Sequence, residues 1–363
     1  MVKKGIITMI AFYISSHGFG HLTRCLAIIK KLLDTENYEI YLVCGESQVQ
    51  FAKIYLKEYE NRLKYSICDT DVGLINKDGT LEVDTERLTE SLKEYSRNIE
   101  NKVIDELNKI KINKLKIEKV ICDITPIGFL VGKELKAETI GISNFTWLDQ
   151  YEALGINKEI LEKLYEAYSY CDRFIEYSLA LELTGINCKK EKSGFISREI
   201  DGEKVKNIKE RYGKSIYIGV GKSADLGKIE ILNFDGTVFY TSGIEIEGSG
   251  FNKEKLPFDI LDMQNYVAAS ETAIIKAGWG TIAECMVGHT PPVLIERKSV
   301  YEDTVTINKL VAEKLAISIT EAELKSIDID KILNRLEKEI NYKELNKIES
   351  ELKKIVEIII KEV

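Results

Sequence analysis

The strongest constraint on the fold lies near the N-terminus. Thr8 to Ile14 (TMIAFYI) is an apolar run of strand length. Cys25 to Leu33 (CLAIIKKLL) carries apolar residues at 25, 26, 28, 29, 32 and 33, the spacing of one helix face. Between them stands Ser15-Ser16-His17-Gly18-Phe19-Gly20-His21-Leu22-Thr23-Arg24. The stretch reads as a strand, a glycine-punctuated turn and the first turn of a helix. Glycines at 18 and 20 permit close backbone approach and torsions that other residues resist. The free N–H groups of the helix start offer an anion site. Two of the three histidines in the sequence, His17 and His21, fall here, which points to chemistry rather than packing.

The pattern continues. Glu39 to Cys44 is a second strand, Ser47 to Leu63 a helix and Leu63 to Cys68 a third strand. Asp69 to Asp84, with Gly73, Asn76 and Gly79, is a long loop of the kind that often binds ligands. Thr85 to Ile110 is helical, Lys119 to Cys122 a strand ending at Asp123, Pro126 opens a helix, and Glu138 to Ile142 is the next strand. Such alternation argues for a parallel sheet with helices on both faces. Lys189 to Arg211 is charged and poor in large apolar residues, so the interdomain connection is placed there. The pattern then restarts, with strands at Ser215 to Gly219, Thr237 to Tyr240 and Ala273 to Ile275, a helix at Thr281 to Val287 and a strand at Pro292 to Ile295. Ile327 to Val363 is helical and rich in Lys/Glu pairs.

At 363 residues the chain calls for two domains, set at 1–192 and 193–363. A net charge of −8 argues against nonspecific nucleic-acid binding. Seven scattered cysteines without a C-x-x-C pair read as reduced thiols in a cytoplasmic protein, not as a disulfide frame or zinc site. Lys3-Lys4 and the apolar run behind them mimic a signal peptide. The run is short, no cleavage site closes it, and cleavage would sever a strand from its turn.

Several motifs invite a chemical reading. Gly18-Phe19-Gly20 begins a dinucleotide fingerprint, but Thr23 stands where the third glycine belongs; Glu46, near the end of the second strand, keeps a nicotinamide reading open. Gly221-Lys222-Ser223 resembles the end of a phosphate loop whose first glycine would be Ile216, and is set aside. His21 sits at a helix start with Arg24 one turn on, the same face. Imidazole exchanges protons near neutral pH and suits a general base. Arg24 would bind an anionic group or pair with a surface acid. His17 is a second polar contact or a turn residue. Asp123, at the end of a buried-type strand, orients a histidine, contacts substrate or caps the Pro126 helix.

Lys276-Ala277-Gly278-Trp279-Gly280-Thr281-Ile282-Ala283-Glu284 forms a second strand–glycine–helix site at the equivalent place in the other half. Its helix N–H groups and the Thr281 hydroxyl suit a diphosphate, and Glu284 suits ribose hydroxyls. Glu302 and Asp303 follow a strand and would hold sugar hydroxyls, or stand as exposed loop acids.

The two sites together resemble nucleotide-sugar glycosyltransferases of the GT-B fold. Read closely, Y-I-S-S-H-G-F-G-H-L-T-R (13–24), C-D-I-T-P-I (122–127), S-N-F-T-W (143–147), Y-V-A-A-S (266–270) and K-A-G-W-G-T-I-A-E (276–284) are similar to the glycosyltransferase-like N-terminal region of plant L-arabinokinases and their stand-alone microbial relatives. The likeness runs in order over roughly residues 8–310. It implies an α/β chain of two Rossmann-like domains facing across a cleft, with the C-terminal helix crossing back to the first. By position, Gly278, Gly280 and Thr281 would meet the donor diphosphate, Glu284 the ribose, and Glu302 or Asp303 the sugar, with Lys276 a further nucleotide-sugar contact. His21 would serve as base or stabilise charge, Asp123 would orient it, and His17, Gly20 and Arg24 would contribute acceptor or second contacts. Thr304 follows Asp303 where many such transferases carry Gln or Asn, and no kinase half with its phosphate loop is present in this sequence.

The expected activity is metal-independent, inverting transfer of a hexosyl or N-acetylhexosaminyl group from a nucleotide-sugar, UDP-sugar favoured, to an acceptor hydroxyl or amine. No cofactor is expected. The acceptor, a small molecule, glycan or lipid, is not legible, and membrane contact is at most peripheral. Asp69-Thr70-Asp71 spells a metal-binding Asp-x-Asp but lies in the acceptor half. A nucleotide-sugar hydrolase, whose G-x-G-H-x-x-R loop Gly18 to Arg24 partly matches, and a non-catalytic nucleotide-sugar-binding protein are the alternatives.

Overall fold

The computed structural model describes residues 8–78, 80–221, 227–257, 259–297 and 299–361. Lys3-Lys4, Gly79 and Lys222-Ser223 of the readings above lie outside them. The chain divides into two compact units. One comprises Met1–Ile75, Asp84–Gly194 and Glu351–Val363; the other comprises Asn76–Val83 and Phe195–Ser350.

In the first unit, strand β1 (Thr8–Ile14) leads to helix α1 (Gly20–Thr35), β2 (Tyr38–Cys44), α2 (Glu46–Tyr55), β3 (Leu63–Ile67) and α3 (Thr85–Ile112). Then come β4 (Ile117–Asp123), α4 (Pro126–Leu135), β5 (Glu138–Ser143), α5 (Trp147–Ala153), α6 (Lys158–Ser169), β6 (Arg173–Glu176) and β7 (Lys189–Lys192). The strands form one parallel sheet in the order β3-β2-β1-β4-β5-β6-β7. Met9–Ile14 are buried on both faces, which is why β1 reads as a continuous apolar run rather than an alternating one. Helix α1 buries the stripe from Leu22 to Leu33 against the sheet. Asp84 caps α3 by accepting from the Arg87 N–H, and Pro126 begins α4 where its missing N–H costs nothing.

Two expectations are corrected here. The helix expected over Ser47–Leu63 stops at Tyr55, and Lys57–Arg62 is a 3₁₀ turn. Leu56 is buried, and the Arg62 guanidinium donates to the carbonyls of Leu33, Glu36 and Tyr38, pinning the turn to the end of α1. The charged stretch taken for a connection also carries regular structure. Lys189–Lys192 is the edge strand β7, whose charges suit an unpaired edge.

The second unit contains α7 (Gly202–Tyr212), β8 (Ser215–Gly219), β9 (Lys228–Leu232), β10 (Thr237–Tyr240), β11 (Glu245–Glu247), β12 (Asn252–Lys255), α8 (Met263–Ala269), β13 (Ala273–Lys276) and α9 (Trp279–Val287). It continues through β14 (Pro292–Ile295), α10 (Tyr301–Ala312), β15 (Ile317–Ile319), α11 (Glu321–Leu324), β16 (Ser326–Asp328), α12 (Ile329–Glu339) and α13 (Tyr342–Leu345). Its main sheet, β12-β10-β8-β13-β14-β15, is parallel, and β11-β9-β16 form a small second sheet. The tail is therefore not helical throughout, because it opens with β16.

The last helix, α14 (Leu352–Ile360), belongs to the first unit. Its Ile355, Val356 and Ile359 are buried, and it packs on α1. Lys119 Nζ donates to the Ile359 carbonyl at 3.0 Å and Arg173 Nη1 to the Ile358 carbonyl at 3.1 Å. Two cations thus meet the carbonyl end of this helix, where the backbone dipole favours them. Among the described residues no helix is long and apolar enough to cross a membrane.

Candidate functional site

In an open parallel sheet, ligands bind beyond the carboxyl ends of the strands where the strand order reverses. In the first unit that point lies between β1 and β4, whose last residues Ile14 and Asp123 are register partners. The turn after β1 carries His17 and His21, so topology and motif agree. Ile124, just past Asp123, has φ +55°, a strained conformation for a β-branched side chain.

Asp123 is fully buried and gathers the cluster. Arg24 Nε donates to Oδ2 at 2.7 Å, Arg24 Nη2 donates to Oδ1, and Cys25 Sγ donates to Oδ2 at 3.2 Å. His21 Nδ1 lies 3.0 Å from Oδ1. Arg24 Nη2 also donates to Ser143 Oγ at 3.1 Å, so both its protons are committed although it sits 2.8 Å from His21 Nδ1. Hydrogen-bond accounting therefore assigns the proton to Nδ1, donating to Asp123, and leaves the Nε2 lone pair as the acceptor. Burial alone would push the Asp123 carboxyl up, but the charges of Arg24 and then His21 overcome it and hold it below the usual carboxylate range. Asp123 thus orients the histidine and is not a cap. Arg24 is buried and pairs with that same acid, which is not a surface one.

The turn is braced by residues that sequence reasoning passed over. Gly18, at φ +76°, takes a left-handed conformation, and Gln48 Nε2 donates to its carbonyl and, at 2.9 Å, to that of Ser15. Asp71 is buried and accepts from Ser16 N at 3.1 Å, Ser16 Oγ at 3.0 Å and Trp147 Nε1 at 2.8 Å. Its carboxylate is engaged by the turn. Among the described residues no group of three or more His, Cys, Asp or Glu is placed to hold a metal. The His17 ring stands edge-on to Trp147 at 5.6 Å, and His21 lies 6.2 Å from the same indole. Gly20, the first residue of α1, has open space beside it.

In the second unit the strand order reverses between β8 and β13, where Gly219 pairs with Ile275. Lys276 ends β13, and Gly278 starts α9 without a side-chain cap, leaving the first N–H groups of that helix free of one. Gly280 and Thr281 lie in its first turn, half-buried. Lost solvation and then the Arg297 charge push the Lys276 amine down to about 8, partly opposed by Asp303. Arg297 is a cation that motif reading missed, because it lies in no motif. Its Nε donates to Asp303 Oδ2 at 2.5 Å and its Nη2 to Oδ1 at 2.6 Å.

Asp303 is accordingly no loop acid. It sits in the first turn of α10, fully buried, with both oxygens engaged by Arg297. Glu302, half-buried, is its neighbour in the same turn. Glu284 is 5% exposed and accepts from Arg198 Nη2 at 2.8 Å through Oε1, which leaves Oε2 for any ligand. Arg198 also donates to the Leu261 carbonyl at 2.6 Å. Each unit therefore assembles its own candidates: His17, Gly20, His21, Arg24 and Asp123 in the first, Lys276, Gly278, Gly280, Thr281, Glu284, Glu302 and Asp303 in the second.

Comparison with known proteins bears on both halves. Residues 227–361 match the glycosyltransferase family 28 C-terminal domain. The chain is 22% identical over 340 residues to the L-arabinokinase of Arabidopsis thaliana, an alignment that takes in 86% of this chain and only 30% of that protein. Arabidopsis thaliana UGT89C1 complexed with UDP-L-rhamnose superposes with a TM-score of 0.61 at 13% identity, covering 98% of this chain and 94% of that one. The glycosyltransferase SnogD from Streptomyces nogalater gives 0.60 at 12% identity, covering 97% and 99%. With its two Rossmann-like domains and the C-terminal helix returned to the first, the chain has the GT-B fold seen in these glycosyltransferases, and the family 28 likeness lies within its second half.

Proposed function

We propose that this protein is a metal-independent, inverting glycosyltransferase that moves a sugar from a nucleotide-sugar, a UDP-sugar by preference, to an acceptor hydroxyl or amine. The observation that carries the reading is the Asp123–His21 pair at the switch point of the first sheet, with the imidazole fixed as the Nδ1–H tautomer. His21 Nε2 takes the acceptor proton as the nucleophile attacks the anomeric carbon. A positioned base contributes roughly 10²–10⁴-fold. In the second domain Lys276, the start of α9 and the Thr281 hydroxyl receive the diphosphate, so charge on the leaving group is met by a cation and backbone dipoles. Arg297, held by Asp303, adds positive potential beside Lys276. Glu284 accepts from the ribose through Oε2 while Arg198 fixes Oε1, and Glu302 contacts the sugar.

Support for the donor class comes from relatives: UGT89C1 has been seen with UDP-L-rhamnose and with quercetin. The sugar type, hexosyl or N-acetylhexosaminyl, and the cytoplasmic location belong to the same proposal. The test begins with a thermal-shift screen of nucleotides and nucleotide-sugars, since a ligand of the native state raises its melting temperature. UDP release is then followed with and without candidate acceptors, with and without EDTA. Acceptor-dependent release that survives EDTA supports transfer. Rapid release from donor and water alone would instead assign a hydrolase, and binding without turnover a sensor.

A further inference from the structure

Cys171 and Cys188 stand seventeen positions apart in sequence, yet their sulfurs are 3.5 Å from each other. Cys171 lies two residues before β6 and Cys188 directly before β7, and these strands are parallel neighbours with Arg173 opposite Lys189. Among the described residues no other pair of cysteine sulfurs lies in hydrogen-bond contact. Cys171 is 7% exposed, whereas Cys188 is half-buried and so is the sulfur a small solute meets first.

We propose that Cys171 and Cys188 form a redox-reactive thiol pair that closes to an intramolecular disulfide when a peroxide reaches Cys188. The Cys188 thiolate attacks one peroxide oxygen and breaks the O–O bond, which gives a sulfenic acid and releases water once the leaving oxygen is protonated. Cys171 then attacks the Cys188 sulfur, its thiol proton leaves with the sulfenic oxygen as a second water, and the S–S bond forms. Two thiols are oxidised and one peroxide is reduced to two waters. The electrostatics agree with this order of attack. The contact with the Cys171 sulfur holds the Cys188 thiol below its ordinary range, and burial pushes Cys171 above it. A low thiol with a neighbouring resolving thiol is the arrangement that favours reversible oxidation. The site is independent of the transfer reading, since neither cysteine belongs to the residues named there.

The test is thiol counting and peptide mapping of the intact protein. Titration of the denatured protein should find seven thiols after reduction and five after brief treatment with hydrogen peroxide, with dithiothreitol restoring seven. Trypsin cuts after Lys163, Arg173 and Lys189, so the two cysteines fall on separate peptides, Leu164–Arg173 and Phe174–Lys189. Those peptides should appear joined only without reductant. Cys188→Ser should abolish the cross-link, and Cys171→Ser should let a sulfenic acid accumulate on Cys188, trapped by dimedone. Seven persistent thiols, or thiols lost at other positions, overturn the proposal. So does oxidation of Cys188 in the wild-type chain to sulfinic acid without a cross-link. Should Cys171→Ser fail to fold, the wild-type map and Cys188→Ser decide the matter by themselves.

Discussion

Arg24 and His21 contact the same oxygen of Asp123, and the two contacts have different consequences for catalysis. The contact to His21 fixes the tautomer and direction of the ring, and the contact to Arg24 pairs a buried guanidinium. In the proposed transferase, His21→Ala should lower turnover roughly 10²–10⁴-fold while UDP affinity stays as it was, measured by initial rates and calorimetry. Asp123→Asn should act on stability as well, because it leaves Arg24 buried without a counter-charge, at a cost of about 3–5 kcal/mol in urea unfolding. Replacing both partners by apolar residues of similar size should cost less than Asp123→Asn alone; additive losses would refute the pairing. Lys276 yields a pH prediction of definite sign. Its amine is charged below about 8, and an anionic ligand favours the charged form. UDP affinity should therefore be full at pH 7 and fall as pH rises through 8, by up to about tenfold per unit. Lys276→Met should weaken binding at pH 7 and flatten that slope.

The loop from Asp69 to Ile75 shows how an element without regular structure holds a functional turn. Thr70 Oγ1 donates to the Ile14 carbonyl at 2.7 Å, and Tyr151 OH donates to that of Gly73 at 3.0 Å. Gly73 adopts φ +70°, and a Cβ there would lie 2.2 Å from His17 Nδ1. Gly73→Ala should accordingly push the His17 ring off Trp147 and destabilise the unit. The loss expected is about 1–3 kcal/mol, the scale of a strained backbone, checked by urea unfolding and the histidine resonances. None of this is legible in the sequence, because Asp71 and Ser16 are 55 positions apart and the loop has no periodicity. What is legible follows from burial. Strands β1, β8 and β14 and the first three residues of β13 are buried on both faces, so they read as apolar runs, and the glycine turns after β1 and β13 mark the ligand ends of the two sheets. Elements that bury little leave no such trace. β7 is Lys-Lys-Glu-Lys and α7 has no buried residue, so both passed for a connection. β9, with burial on alternate residues, carried a readable period that was passed over. The contact between His21 and Asp123 was legible, but the Arg297–Asp303 and Arg198–Glu284 pairs depend on tertiary neighbours that no motif encodes.

The order of the chain imposes a dependence that neither domain shows alone. The first unit is completed only by Glu351–Val363, so most of the second unit, Phe195–Ser350, is inserted between two parts of the first. Glu351 makes the return: its Oε2 accepts from Ser193 Oγ at 3.4 Å, and α14 follows with Ile355 and Ile359 fully buried. The first sheet has all of its strands by Lys192, but the helix that covers α1 follows only after the second unit, whose strands are complete by Asp328. Removing 351–363 uncovers the α1 surface that α14 packs on and strips Lys119 and Arg173 of the carbonyls they meet. Each large apolar side chain withdrawn from that interface forfeits about 1.5–3 kcal/mol of burial, comparable in sum to the net stability of a domain. A chain ending at Ser350 should therefore melt in two steps. The lower one belongs to the first unit and is well below its full-length value. The upper one belongs to the second unit and rises with UDP by about 2.7 kcal/mol at a hundredfold excess over Kd. Calorimetry with and without UDP checks this. A single transition, or loss of the UDP response on truncation, would show that the donor site does not reside in Phe195–Ser350 alone.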